Sequence, residues 1–125
     1  MHLAVLRPEQ MPDELVISAV TLAELSAGPY HTDDPIERAR RISLLQHTEA
    51  MFDPLPFDTA AARGFGQLSA AVLSTGRHPR RRLADLMIAA VAMVNALPLY
   101  TTNPNDFHGL DQFVTVIPVT RPATI

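Results

Sequence analysis

A chain of 125 residues has the size of one domain, and its 47% hydrophobic and 18% charged residues fit a globular fold and exclude a disordered one. The absence of cysteine excludes disulfides, thiolate zinc sites and cysteine nucleophiles, and a net charge of −3 excludes a protein that coats nucleic acid by bulk positive charge. Any anionic partner then requires a local patch or a metal ion. All basic residues other than histidine are arginine. The longest apolar run, residues 86–94, falls short of the roughly 18 residues of a membrane span. The N-terminus has no basic stretch and no cleavage site of a secretion signal. A single soluble, cytoplasmic domain over residues 1–125, with no membrane partner, is expected.

In chain order, residues 2–6 are apolar but short, and Pro8 and Pro12 bracket a loop. Residues 16–20, Val-Ile-Ser-Ala-Val, have the pattern of a strand buried on both faces of a parallel sheet. Thr21 opens a helix that Gly28-Pro29 closes. Asp33-Asp34-Pro35 starts a second helix, in which Ile36, Ala39, Ile42 and Leu45 form an imperfect apolar stripe with Arg38 and Arg41 between them. Residues 52–57 hold two prolines, which predicts a short extended or edge segment. Asp58 caps a helix over 59–74 that Gly76 ends, and residues 76–82 form an exposed basic loop. Residues 83–97 are apolar nearly all round, which predicts a helix buried on several sides. A strand over 97–102, a turn with a short helix over 103–109 and a last strand over 113–119 complete the chain. Strands alternating with helices predict a three-layer α/β domain, a parallel sheet flanked by helices.

In such sheets ligands collect outside the carboxyl ends of the strands, so polar residues just past a strand are candidates. Glu24 lies in Thr21-Leu-Ala-Glu24, which is also a capping box; the two roles are compatible. Asp85 is the only carboxylate of the 83–97 helix and sits near its first turn, where capping is the alternative role. A carboxylate in a helix packed on most faces is costly unless paired or metal-bound, which makes Asp85 the strongest single candidate. Asn103 and Asp106 follow a strand in a segment that is also ordinary turn chemistry. Carboxylates converging without cysteine or a histidine pair point to a hard, oxygen-ligated ion, Mg²⁺ or Mn²⁺, which activates water and clamps phosphoryl oxygens. Arg80, Arg81 and Arg82 would hold phosphates beside such a site, a solvated loop being the alternative. The five histidines (2, 31, 47, 78 and 108) show no metal-ligand spacing, and neither a Gly-rich phosphate loop nor a Gly-x-Ser-x-Gly elbow is present. The residues alone also allow a small α/β binding or signalling domain whose acidic residues are caps. A phosphoacceptor regulator is disfavoured, because its lysine partner has no counterpart in a chain without lysine.

Three stretches, residues 16–28, 85–92 (Asp-Leu-Met-Ile-Ala-Ala-Val-Ala) and 97–107 (Leu-Pro-Leu-Tyr-Thr-Thr-Asn-Pro-Asn-Asp-Phe), together resemble the PIN domain, and within it the VapC-type toxins of bacterial toxin–antitoxin systems. The likeness runs from about residue 16 to residue 119. It implies a Mg²⁺-dependent endoribonuclease acting on RNA, neutralised by a VapB-type antitoxin and commonly a homodimer. Glu24 matches the family's Glu in Ala-Glu-Leu, and Asp85 the Asp that opens its Asp-x-x-Ile-Ala-Ala helix, both as metal ligands. Asn103 matches the fourth acidic position most directly, with Asp106 a nearby substitute. The family's first strand, central in its sheet and ending in an Asp-Thr-Ser-like motif, has no counterpart in this sequence. The expected domain is therefore N-terminally short, without the central strand and one acidic ligand. The alternative is an inactive, truncated remnant that binds an antitoxin or another partner protein.

Overall fold

The structure, a computed structural model, describes residues 4–6, 16–78 and 82–119. The loop bracketed by Pro8 and Pro12, and Arg80 and Arg81, lie outside the described residues. The elements in order are β1 (Ala4–Leu6), β2 (Ile17–Ser18), α1 (Ala19–Ala27), a 3-10 turn at Gly28–His31, α2 (Pro35–Met51), β3 (Pro54–Leu55), α3 (Thr59–Ser74), α4 (Leu83–Val94), β4 (Leu99–Thr101), a second 3-10 turn at Pro104–Phe107, and β5 (Val116–Pro118).

The expected parallel pairing is present in two places: β2 beside β3, with Ile17 opposite Pro54, and β4 beside β5, with Leu99 opposite Val116. A strand not foreseen adds to the second of these, while β2–β3 remains a separate two-stranded sheet. The backbone of Ala4–Leu6 runs antiparallel to β4, Leu6 opposite Leu99, and lies next to β2 on its other side. It covers what would otherwise be an open edge of β4, where unpaired amides and carbonyls are costly if buried. The position between β2 and β4 is thus filled, by a strand of the opposite direction to β4.

The strand expected over 16–20 is only two residues long, because Ser18 turns it into a helix. Ser18 is extended, and its Oγ accepts a hydrogen bond from Thr21 N–H at 3.0 Å, the geometry of an N-cap. Ala19 and Val20 therefore belong to α1 despite the β propensity of valine, a tertiary and capping override of local preference.

α2 starts where the sequence predicts, but its apolar stripe does not face the core. Asp34 caps it, its carboxylate accepting from Ile36 N–H at 3.0 Å. Yet Ile36 is 75% exposed, Ala39 and Ile42 are exposed, and only Thr48 is buried. The two arginines hold the helix to α1 instead. Arg41 Nη1 donates to Gly28 O at 2.8 Å, and Arg38 donates to Pro29 O at 3.1 Å and Thr32 O at 2.8 Å. These carbonyls lie where α1 gives way to the 3-10 turn and its following loop, so charged donors satisfy groups that the helix ladder leaves open.

The core lies between α3, α4 and the β4 side of the sheet. Leu86, Ile88, Ala89, Ala90, Val91 and Ala92 of α4 are all buried, with Leu68 and Val72 of α3, Leu99, Phe107, Leu110 and Val114 around them. α3 matches its predicted bounds: Ala61 N–H donates to Asp58 Oδ1 at 2.9 Å, and Gly76 follows with a φ of +81°. Gly64 lets the two helices approach closely, since a Cβ there would stand 2.8 Å from Met93 Cε and 3.1 Å from Val94 Cγ1. α4 ends at Val94, three residues before the predicted 97. Ala96 adopts a φ of +54°, and Leu97 N–H reaches back to Ala92 O at 2.9 Å, a Schellman-type stop built without glycine.

Candidate active site

Ser18 settles the local role of Thr21. The helix begins two residues earlier than predicted, so Thr21 is its third residue and receives the cap, its hydroxyl 3.2 Å from that of Ser18. Glu24 is then the sixth residue of α1, too far along to close a capping box on Thr21. Its half-buried side chain instead lines a groove of about 490 Å³. Ala19, Val20, Ala23 and Ala27 of α1 form one wall of that groove, and Ala84 and Met87 of α4 stand with Phe57 on the other. Phe57 is itself set edge-on to Phe65 of α3, with ring centroids 6.4 Å apart. Glu24 is the single ionisable residue in this lining.

Asp85 lies between Ala84 and Met87 in sequence, in the first turn of α4 and half-buried. There the unpaired N–H groups and the positive end of the helix dipole favour a carboxylate. α1 packs on α4, and the groove between them has Glu24 in its lining together with Ala84 and Met87 from the helical turn that carries Asp85. The segment after β4 packs on α4. Asn103 N–H donates to Thr101 Oγ1 at 3.0 Å, Phe107 is buried, and the 3-10 turn between them packs on α4. Across this junction Arg82 Nη1 donates to Asn105 O at 2.8 Å and lies 3.6 Å from Asp106 Oδ1. No local sequence signal announces that contact, because its partners are more than twenty positions apart.

Oxygen donors without sulfur are the correct chemistry for Mg²⁺ or Mn²⁺, and Mg²⁺ sites use one or two carboxylates with water and substrate phosphates. Glu24 and Asp85 match that in type. The number is smaller than expected of an acidic cluster: among the described residues no three His, Asp or Glu side chains gather into a group that could hold a metal ion. Among the described residues, also, no helix is long and apolar enough to cross a membrane.

Comparisons with known proteins identify the family and the fold. The family model described as PIN domain matches residues 2–112. The chain is 39% identical over 106 residues to Ribonuclease VapC5 of Mycobacterium tuberculosis (strain ATCC 25618 / H37Rv), an alignment covering 85% of this chain and 76% of that protein. It is 25% identical over 112 residues to Ribonuclease VapC of Rickettsia bellii (strain RML369-C), covering 86% and 79%. Among solved structures it is similar to VapBC-5 of Mycobacterium tuberculosis, a member of the VapBC family of toxin–antitoxin systems, with a TM-score of 0.77, 38% identity and coverage of 87% and 85%. FitAcB of Neisseria gonorrhoeae follows with a TM-score of 0.67, 27% identity and coverage of 82% and 73%.

Proposed function

The chain belongs to the PIN-domain family, on the side of the VapC-type toxins, and from that premise we propose that it is a toxin of a toxin–antitoxin system that cleaves RNA internally. The observation that supports the reading is the packing of α1 on α4 at one groove, whose lining holds Glu24 and, from the turn that carries Asp85, Ala84 and Met87. Both carboxylates are assigned to the catalytic site and, with a Mg²⁺ or Mn²⁺ ion, to its binding. Asn103 takes the fourth position, with Asp106 as the alternative. The ion, when bound, supplies activated water and offsets phosphate charge. The protein's own part is to hold two negative groups at a helix start and in a groove that is otherwise apolar, where their fields are weakly screened. A VapB-type antitoxin is the proposed protein partner, RNA the substrate, a homodimer the working state and the cytoplasm the location.

One observation favours a second reading, a PIN domain that retains its antitoxin surface without cutting RNA: among the described residues the acidic cluster stops short of three. A single experiment separates the two. The full chain is incubated with a labelled mixed-sequence RNA in Mg²⁺, in EDTA, and as Asp85→Ala. Internal cleavage in Mg²⁺ alone, lost in EDTA and in Asp85→Ala, is the expected result. Intact RNA in every lane, from a chain that unfolds cooperatively, establishes the second reading.

A further inference from the structure

The three arginines at 80–82 read in sequence as a patch for RNA phosphates, but the structure gives Arg82 a different occupation. Building on the ribonuclease reading above, we propose that Arg82 is a positioning residue, a clamp that fixes the Pro104–Phe107 turn against the start of α4, and not a contact to RNA phosphate.

Three features support this assignment. Arg82 stands at the N-cap position of α4, where Ser, Thr, Asp or Asn would ordinarily accept from the helix amides, and it makes no side-chain capping bond. Its guanidinium is directed away to the turn, one nitrogen serving both the Asn105 carbonyl and the Asp106 carboxylate. The turn also packs on α4 and β5. It is a single turn closed by Asp106 N–H to Asn103 O at 3.1 Å and His108 N–H to Asn105 O at 3.3 Å, with Phe107 as its buried anchor. Asn103 and Asp106 lie in this segment, so their place relative to Asp85 depends on how firmly the turn is held to α4.

The charge balance points the same way. A guanidinium beside a carboxylate presents little net positive charge to a phosphate, and each of the two side chains is about a third exposed (33% and 29%). Asp106 is then the clamp's acidic half, which leaves Asn103 at the fourth position of the site. Arg82 lies three residues before Asp85 in the same first turn, so loosening the clamp separates the turn from the helix end that carries the catalytic carboxylate.

The test uses the full chain with Arg82→Ala, Arg82→Lys and Asp106→Asn. Amide exchange at Asp106 and His108 is expected to rise about tenfold in Arg82→Ala and to return most of the way in Arg82→Lys. In Asp106→Asn it should rise only two- to threefold, because the Asn105 carbonyl contact remains. With a labelled mixed-sequence RNA, Arg82→Ala should lower kcat about tenfold and leave KM and the salt dependence of RNA binding unchanged. Unchanged exchange in Arg82→Ala overturns the clamp. So does a raised KM with a slope of log K against log salt shallower by about 0.7, the mark of one lost phosphate contact on a single strand. If the wild-type chain cuts no RNA, the ribonuclease reading falls, and the exchange measurement alone still decides the clamp. Should Arg82→Ala not fold, Asp106→Asn supplies the same exchange readout, and no rise there overturns the proposal.

Discussion

At Glu24 the choice between a structural and a chemical role is decided by helix register. A start at Thr21 would make Glu24 the returning member of a capping box; a start at Ala19 makes Ser18 the cap and leaves Glu24 in the groove wall. The Ser18 cap is buried and bonded to the Thr21 amide, so Ser18→Ala should cost about 1 kcal/mol of stability, read as a lowered midpoint in urea with an unchanged slope. A change within 0.3 kcal/mol, on the order of what distant surface changes give, would return the cap to Thr21. Glu24→Gln and Asp85→Asn keep side-chain shape and remove charge, and each should lower RNA cleavage by at least about a hundredfold, some 2.7 kcal/mol in the barrier. Cooperative unfolding should survive in both. Loss of cooperative unfolding in Asp85→Asn would instead make that carboxylate a structural cap.

Individual helices show where sequence pattern is a sound guide and where it misleads. α3 and α4 were legible because a polar cap, a glycine stop and an almost unbroken apolar run each have one dominant physical meaning. The face of α2 was not, since Ile36, Ile42 and Leu45 mimic a core stripe while Arg38 and Arg41 face the protein to satisfy carbonyls of the Gly28–His31 turn and the loop after it. Hydrophobic periodicity has no term for a backbone group that needs a donor. The stop of α4 was misplaced for a related reason: Ala96 carries the left-handed conformation that sequence reading reserves for glycine. Ala96 is exposed, and a left-handed alanine costs about 1–2 kcal/mol, so Ala96→Gly should raise stability by about 0.5–1 kcal/mol once the roughly 0.5–1 kcal/mol of added chain entropy of glycine is subtracted. Gly64→Ala should act in the other direction. Its new methyl meets the flexible end of Met93 at 2.8 Å and Val94 at 3.1 Å, and overpacking at about 1–3 kcal/mol should outweigh the roughly 1 kcal/mol that alanine gains over glycine inside a helix. Thermal unfolding of the pair, one midpoint rising and the other falling, checks both; a stabilised Gly64→Ala would mean that Met93 swings clear.

For the molecule as a whole, the family and the fold were legible because three motifs in fixed order sit at element ends. What could not be read was how the sheet is completed, since residues 4–6 carry too short an apolar run to reveal that their backbone pairs antiparallel with β4 and lies beside β2. The α1–α4 groove has Glu24 as the ionisable residue of its lining, with Asp85 on the adjoining turn of α4, and among the described residues no three acidic or histidine side chains form a group. A site with two carboxylates holds Mg²⁺ weakly alone and better when substrate phosphates complete the oxygen shell. Calorimetric titration of the RNA-free chain with Mg²⁺ should accordingly show weaker binding than the Mg²⁺ dependence of RNA cleavage indicates. EDTA should abolish cleavage reversibly, with Mg²⁺ restoring it, and should leave the thermal midpoint of the RNA-free chain within about a degree, because an ion bound weakly to the native state adds little stability by mass action. A Mg²⁺ affinity equally high without RNA would require further ligands from outside the described residues, and cleavage that persists in EDTA would remove the divalent ion from the mechanism.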